Sequence, residues 1–189
     1  MPVELRKVET VYQGYMTLMR ATLTTSDGQT FTREIEHHGH AVAVLPYDPE
    51  RRMALVVSLP RAPAIWADGP PELLEAIAGM VDGEDAEACA RREAMEEAGV
   101  ALHELEPVAS AFASPGVSSE RLQLYLAPYL AIDRTGGGGG IAEEHELITV
   151  MEVPLAQLWA WAEERRIEDM KTLALILWLT VRRPVLFAG

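Results

Sequence analysis

The stretch from Asp85 to Gly99 limits the possible folds of this chain more than any other. Asp85 to Ala98 is rich in Ala, Glu and Arg, residues that favour a helix. Glu84 or Asp85 can open that helix, and Gly99 is placed to stop it. Ala90, Ala94 and Ala98 recur every four residues, so small side chains let the helix lie close against a sheet. Glu93, Glu96 and Glu97 also share a face, because spacings of three and four bring helical side chains together. They repel one another, and they sit in the last turns, where the helix dipole disfavours negative charge. Arg92 is the only immediate cation. A solvated acidic face is one reading of such a cluster. The other is a hard divalent cation held by oxygen ligands, which would relieve the repulsion.

Around that helix the pattern reads mainly as strands. Tyr15 to Thr25 and Gln29 to Glu36 flank Ser26-Asp27-Gly28, and Asp-Gly is a strong hairpin signal. A second pair, Ala41 to Pro46 and Met53 to Leu59, is separated by Asp48-Pro49-Glu50-Arg51-Arg52. Leu73 to Ala78 reads as a short strand, and strand-like stretches return at Glu106 to Phe112, Arg121 to Leu130 and Leu147 to Val153. Leu155 to Arg166 and Glu168 to Arg182 read as amphipathic helices. Gly136 to Gly140 is a run of five glycines, a flexible loop by composition. The expected architecture is α+β with a small N-terminal β appendage.

Charge and composition narrow the function. The 189 residues carry a formal net charge of -13, and such a surface repels nucleic-acid backbones. It also repels free phosphorylated metabolites unless cations intervene. The single cysteine, Cys89, excludes an intrachain disulfide and fits a reducing cytoplasm. The N-terminus lacks a basic start followed by an apolar run, so no secretory signal is evident. The longest apolar stretch, Leu173 to Val181 interrupted only by Thr180, is too short to span a bilayer. A soluble, cytoplasmic protein is expected.

Glu84, Arg92, Glu93, Glu96, Glu97 and Gly99 together resemble the Nudix box, G-x5-E-x7-R-E-U-x-E-E-x-G-U with U aliphatic. The resemblance covers Gly79 to Val100, with two departures. Four residues rather than five separate Gly79 from Glu84, and Ala94 is a small occupant of an aliphatic site. The resemblance implies a Nudix fold, a mixed sheet sandwiched between helices. It implies metal ligands at Glu93, Glu96, Glu97 and the Ala78 backbone carbonyl, oriented by Glu84 and Arg92. Mg²⁺ is the implied cofactor, with Mn²⁺ a possible substitute.

Beyond the box, Ser114-Pro115-Gly116-Val117-Ser118-Ser119-Glu120-Arg121 resembles a segment of the ADP-ribose and nucleoside-diphosphate-sugar pyrophosphatase branch. That resemblance assigns substrate contacts to Ser114 and to Glu120, the latter near the metal site. It divides the chain into a β appendage, residues 1–38, and a catalytic domain, residues 39–189. The appendage would build a homodimer and help to hold the nucleoside, Tyr15 stacking on the base and Arg33 covering its other face. Arg61 matches an arginine that contacts the diphosphate, although Ser58-Leu59-Pro60 replaces the polar pair usual before it. In the loop Ile141 to Leu147, Glu144 matches the glutamate that activates the attacking water, with Glu146 the runner-up, and the glycines upstream would permit closure. The implied substrate is a nucleotide sugar, ADP-ribose first, giving AMP and ribose 5-phosphate. GDP-mannose pyrophosphatases share the same span, the glycine run and the shortened lead-in. A non-catalytic nucleotide-sugar sensor is the alternative of another class, and would be expected to have lost box glutamates that this chain retains.

Overall fold

The computed structural model describes residues 2–140 and 147–187, which fall into two compact units. The first comprises Met1–His40 and Ala111–Leu122, and the second Ala41–Ser110 and Gln123–Gly189.

The first unit is built on an antiparallel sheet of β1 (Val3–Gln13), β2 (Thr17–Thr25) and β3 (Thr30–His37), in that order. Asp27 and Gly28 form the β2–β3 turn. Gly28 takes φ +86, and its N–H donates to Thr25 O at 3.0 Å. Against the end of β3 lies the Ser114 to Glu120 segment. Glu36 N donates to Val117 O at 2.8 Å, and Ser119 N donates back to Glu36 O at 3.0 Å.

The second unit holds a seven-stranded sheet. Its main path runs β10 (Thr149–Pro154), β5 (Met53–Leu59), β4 (Ala41–Asp48), β9 (Arg121–Pro128), β8 (Glu106–Phe112). Off that path, β6 (Leu73–Glu75) pairs with β5, and β7 (Ile77–Met80) pairs with β4. All eight residues of β4 are buried, which requires cover on both faces of the sheet. Helix α2 (Ala86–Ala98) packs against β7, β4 and β5, with Ala90, Ala94 and Ala98 in the core beside Val42, Val44, Leu55 and Val57. Helix α4 (Met170–Arg182) packs against β4 and β6, burying Leu175, Ile176 and Leu179. Helix α3 (Leu155–Glu163) covers β10 and β5. Among the described residues no helix is long and apolar enough to cross a membrane.

Three local features differ from the sequence expectation. The single strand expected from Leu73 to Ala78 is two strands, because the chain changes partner at Ala76. Its N–H donates to Thr172 Oγ1 on α4 at 2.6 Å rather than to a strand. A short helix, α1 (Ala62–Trp66), follows Arg61 and carries a proline in its first turn. Gly136 to Gly140 is no free linker. The N–H groups of Gly139 and Gly140 donate to carbonyls in the last turn of α2.

Candidate active site

Helix α2 begins where the sequence placed it, with the Asp85 side chain accepting from Glu87 N and Ala88 N at 3.0 and 2.9 Å. It ends at Gly99, which takes φ 64. The alanine stripe faces the sheet, and Glu93 and Glu97 stand beside it against β7, with Glu96 on the more exposed flank. Arg92 gathers three carboxylates. Its Nε and Nη2 donate to Glu84 Oε1 at 3.0 and 2.8 Å, and its Nη1 lies 2.8 Å from Glu96 Oε2 and 2.9 Å from Glu93 Oε1. The hydrogen bond to Glu84, with Glu93 and Glu96 adding charge, keeps this guanidinium firmly protonated against partial burial. Gly83 takes φ +72 in the shortened lead-in, and Glu84 still meets Arg92.

Glu97 points the other way, into the protein. Only 5% exposed, it accepts from Ala78 N at 3.3 Å, which ties the helix to β7. Gly79 explains how Glu93 lies against that strand. A Cβ there would fall 1.9 Å from Glu93 Oε1, so any side chain at 79 would displace the carboxylate. Cys89, on the buried side, donates to Met80 O at 3.2 Å, and burial pushes its thiol up to about 12. It is a packing residue and no nucleophile.

Arg61 stands at the C-terminal end of β5 in a bidentate pair with Glu75, Nε to Oε1 at 2.8 Å and Nη2 to Oε2 at 3.0 Å. Glu75 is 2% exposed and is also bonded by Lys171 Nζ, which reaches Asp169 Oδ1 at 3.0 Å. Burial pushes the Glu75 carboxyl up, but Arg61 and Lys171 outweigh it and hold the carboxyl below its ordinary range. Asp169 in turn caps α4 through Thr172 N at 2.9 Å. Glu75 and Lys171 were not legible as site residues in the sequence. They hold Arg61 in one orientation while leaving three of its five N–H groups to other acceptors.

In the first unit, Tyr15 is 89% exposed, with its ring stacked toward His38 at a centroid distance of 6.4 Å. Arg33 lies over the Phe31 ring at 4.8 Å, and its Nη1 donates to Thr32 O at 2.8 Å. The β2–β3 register pairs Thr17 with His37 and Ala21 with Arg33. Arg33 is therefore four residues of extended strand, about 13 Å, beyond the end where Tyr15 stands. Ser114 is exposed, and its carbonyl accepts from Val117 N and Ser118 N, closing a turn over Pro115-Gly116. Glu120 is half-buried and is met by His38 Nε2 at 3.2 Å, while His38 Nδ1 is bonded to Glu36. Burial lowers the His38 pKa, but the two carboxylates outweigh it and raise it above the ordinary imidazole value. His38 was missed, since Glu120 lies 82 residues away along the chain.

Glu144 and Glu146 lie outside the described residues. Among the described residues, no three His, Cys, Asp or Glu side chains form a ready metal centre. Arg92 supplies the physical reason, since its guanidinium sits among the carboxylates that a cation would otherwise draw together. The donors themselves suit a hard divalent metal, being carboxylate oxygens with one backbone carbonyl.

The family model described as NUDIX domain matches residues 37–174. The ADP-ribose pyrophosphatase of Escherichia coli (strain K12) is 36% identical over 192 residues, covering 97% of this chain and 90% of that protein. The GDP-mannose pyrophosphatase of Cronobacter sakazakii is 34% identical over 186 residues, covering 95% and 96%. A crystal structure of an ADP compounds hydrolase superposes with a TM-score of 0.76 at 19% identity, covering 97% of each chain, which establishes a shared fold. The carboxylate helix on this sheet, together with these matches, makes the chain a member of the NUDIX family, an enzyme of its ADP-ribose and nucleoside-diphosphate-sugar pyrophosphatase branch.

Proposed function

We propose that the enzyme hydrolyses the diphosphate bond of a nucleoside diphosphate sugar, with ADP-ribose the favoured substrate and AMP and ribose 5-phosphate the products. The observation carrying this reading is the ordered carboxylate flank of α2, with Glu84, Glu93 and Glu96 gathered on Arg92 and Glu97 anchored on Ala78 N. Glu93, Glu96, Glu97 and the Ala78 carbonyl would hold Mg²⁺. A bound divalent cation supplies charge neutralisation for the diphosphate and for the charge developing at phosphorus. The remaining work falls to the chain. Arg92 and Glu84 keep the carboxylates in register. Arg61, locked by Glu75, presents its outer N–H groups to a diphosphate oxygen. Glu144 takes the proton from the attacking water, with Glu146 its alternative. Ser114 and Glu120 contact the substrate from their turn.

A homodimer belongs to the same proposal. The N-terminal strand β1 is exposed along its whole length and displays Val3, Leu5, Val8 and Val11, apolar side chains that a second copy would cover.

GDP-mannose is the second reading, favoured by the 34% identical relative and by the four-residue lead-in to Glu84. Incubation with ADP-ribose and with GDP-mannose, each with Mg²⁺ and with excess chelator, separates the two. Faster release of AMP, abolished by chelation, is expected. Faster release of GMP would transfer the assignment to GDP-mannose and retire the adenine roles of Tyr15 and Arg33. Release of neither nucleotide would refute both substrate assignments.

A further inference from the structure

The run Gly136 to Gly140 is docked on the end of the carboxylate helix. Thr135 N and Gly136 N both donate to Gly99 O, at 2.9 and 3.2 Å, and Arg134 pairs with Val100 in an antiparallel bridge. Three residues beyond Gly136, Gly139 N donates to Glu97 O at 2.8 Å, and Gly140 N donates to Glu96 O at 3.2 Å. A helix leaves its last four carbonyls without intrahelical partners. The cap of α2 satisfies Ala94 O and Met95 O, through Val100 N and Gly99 N. The next two carbonyls belong to Glu96 and Glu97, and the glycine amides satisfy them. These N–H groups also aim positive dipole ends at the helix terminus where the carboxylates crowd.

This docking demands glycine at particular places. Gly138, Gly139 and Gly140 take φ +65, +110 and +75 in succession, a conformation that L side chains rarely adopt. A Cβ on Gly138 would lie 2.2 Å from Glu97 O and 2.6 Å from Ala98 Cα, both rigid backbone atoms. A Cβ on Gly137 would meet nothing within 4 Å, and one on Gly136 would make an ordinary contact at 3.7 Å. Flexibility alone would not distinguish these neighbours.

We propose that Gly138 is a positioning residue. It lets the glycine run clamp the carbonyls of Glu96 and Glu97, and so fixes where those two side chains stand. The proposal rests on the reading of Glu96 and Glu97 as metal ligands. Without the clamp the last turn of α2 is free to fray, moving both Cα atoms and both carboxylates away from Arg92 and Ala78.

The test compares Gly138→Ala with Gly137→Ala in the full chain, using ADP-ribose and a Mg²⁺ titration. Gly137→Ala is expected to match the parent in its metal requirement. Gly138→Ala is expected to need about tenfold more Mg²⁺ for half-activation, with kcat lowered and the KM for ADP-ribose little changed. A merely structural role would lower the melting temperature and leave the metal titration where it was, which would overturn the proposal. Equal behaviour of the two variants would also overturn it. If Gly138→Ala fails to fold, amide exchange on the unaltered protein decides. Gly139 and Gly140 amides protected like those of α2 support the clamp, and exchange at the rate of an unstructured peptide refutes it. Activity in the parent that does not depend on Mg²⁺ would refute the ligand reading instead, and the exchange result would still judge the clamp.

Discussion

Strand β4 is buried at all eight of its positions, and strand β1 is exposed at all eleven. Both are strands of one chain with apolar residues to place, yet only one of them has an interior. In the second unit Val42, Val44, Leu55 and Val57 meet Ala90, Ala94 and Ala98 of α2, so the carboxylate helix is seated by close packing. In the first unit Val3, Leu5, Val8 and Val11 are 42 to 59% exposed, and Ala21 is the buried apolar residue of the three-stranded sheet. The contrast teaches that the carboxylate helix is held by its own unit's core. The N-terminal sheet displays apolar side chains suited to cover by the second copy proposed above.

The largest effect should come from cutting into the core. Leu55→Ala is expected to cost about 3 kcal/mol in a denaturant titration. Leu5→Ala should change that stability by less than about 0.5 kcal/mol. In light scattering, however, it should shift the enzyme toward monomer. Equal losses in the two variants would break the contrast, and an unchanged particle mass for Leu5→Ala would remove β1 from the interface.

The same comparison holds for charge. Lys171, itself half-buried, pairs with the buried Glu75, whereas Lys7 and Glu9 form a pair on the surface of β1. Lys171→Met is expected to cost about 2 kcal/mol, since it leaves the Glu75 carboxylate short of a partner in the interior. Lys7→Met should be close to neutral. Melting curves across acid pH sharpen the point. The Glu75 pKa is depressed in the folded state, so its contribution is present above the ordinary carboxylate value of 4.5 and lost as pH falls through the lower folded value. Lys171→Met should weaken that acid dependence, and an unchanged profile would show that the pair does not couple to folding.

The smallest effect belongs to His38. Its pKa is raised by Glu36 and Glu120 despite burial, so its contribution is complete below the ordinary value of 6.5 and lost as pH rises through the higher folded value. Each ring nitrogen faces a carboxylate, and only the imidazolium donates from both. His38→Gln should remove a stability change of under about 1 kcal/mol on the alkaline side. Superimposable melting profiles for the two proteins would contradict this.

Much of the frame was legible in the sequence because it depends on local pattern. The Asp27-Gly28 turn, the strand Met53–Leu59 and the helix from its Asp85 cap to Gly99 stand where residue type and periodicity put them. The shared flank of Glu93, Glu96 and Glu97 was legible from helical spacing, whereas the pairing of Arg92 with Glu84 came from the resemblance to the Nudix box. What was not legible depends on distant partners. Leu73 to Met80 becomes two strands because Thr172 takes the Ala76 N–H from 96 residues away. Arg61 is oriented by Glu75 and, through it, by Lys171 on another helix, and no periodicity relates those positions. Tyr15 and Arg33 were each readable, but their separation is fixed by the β2–β3 register, which places Arg33 opposite Ala21. Composition also misjudged the glycine run, since glycine serves close backbone approach as well as flexibility.

One measurement tests the central claim most directly: AMP release from ADP-ribose in Mg²⁺ by the parent enzyme and by Glu97→Gln, with melting curves for both. Glu97 is buried on Ala78 N, and glutamine keeps its size, so the fold should survive with a similar melting temperature. The account predicts that release falls by about a hundredfold or more in the variant while the parent loses activity to chelator. Near-normal turnover by a folded Glu97→Gln enzyme would contradict it.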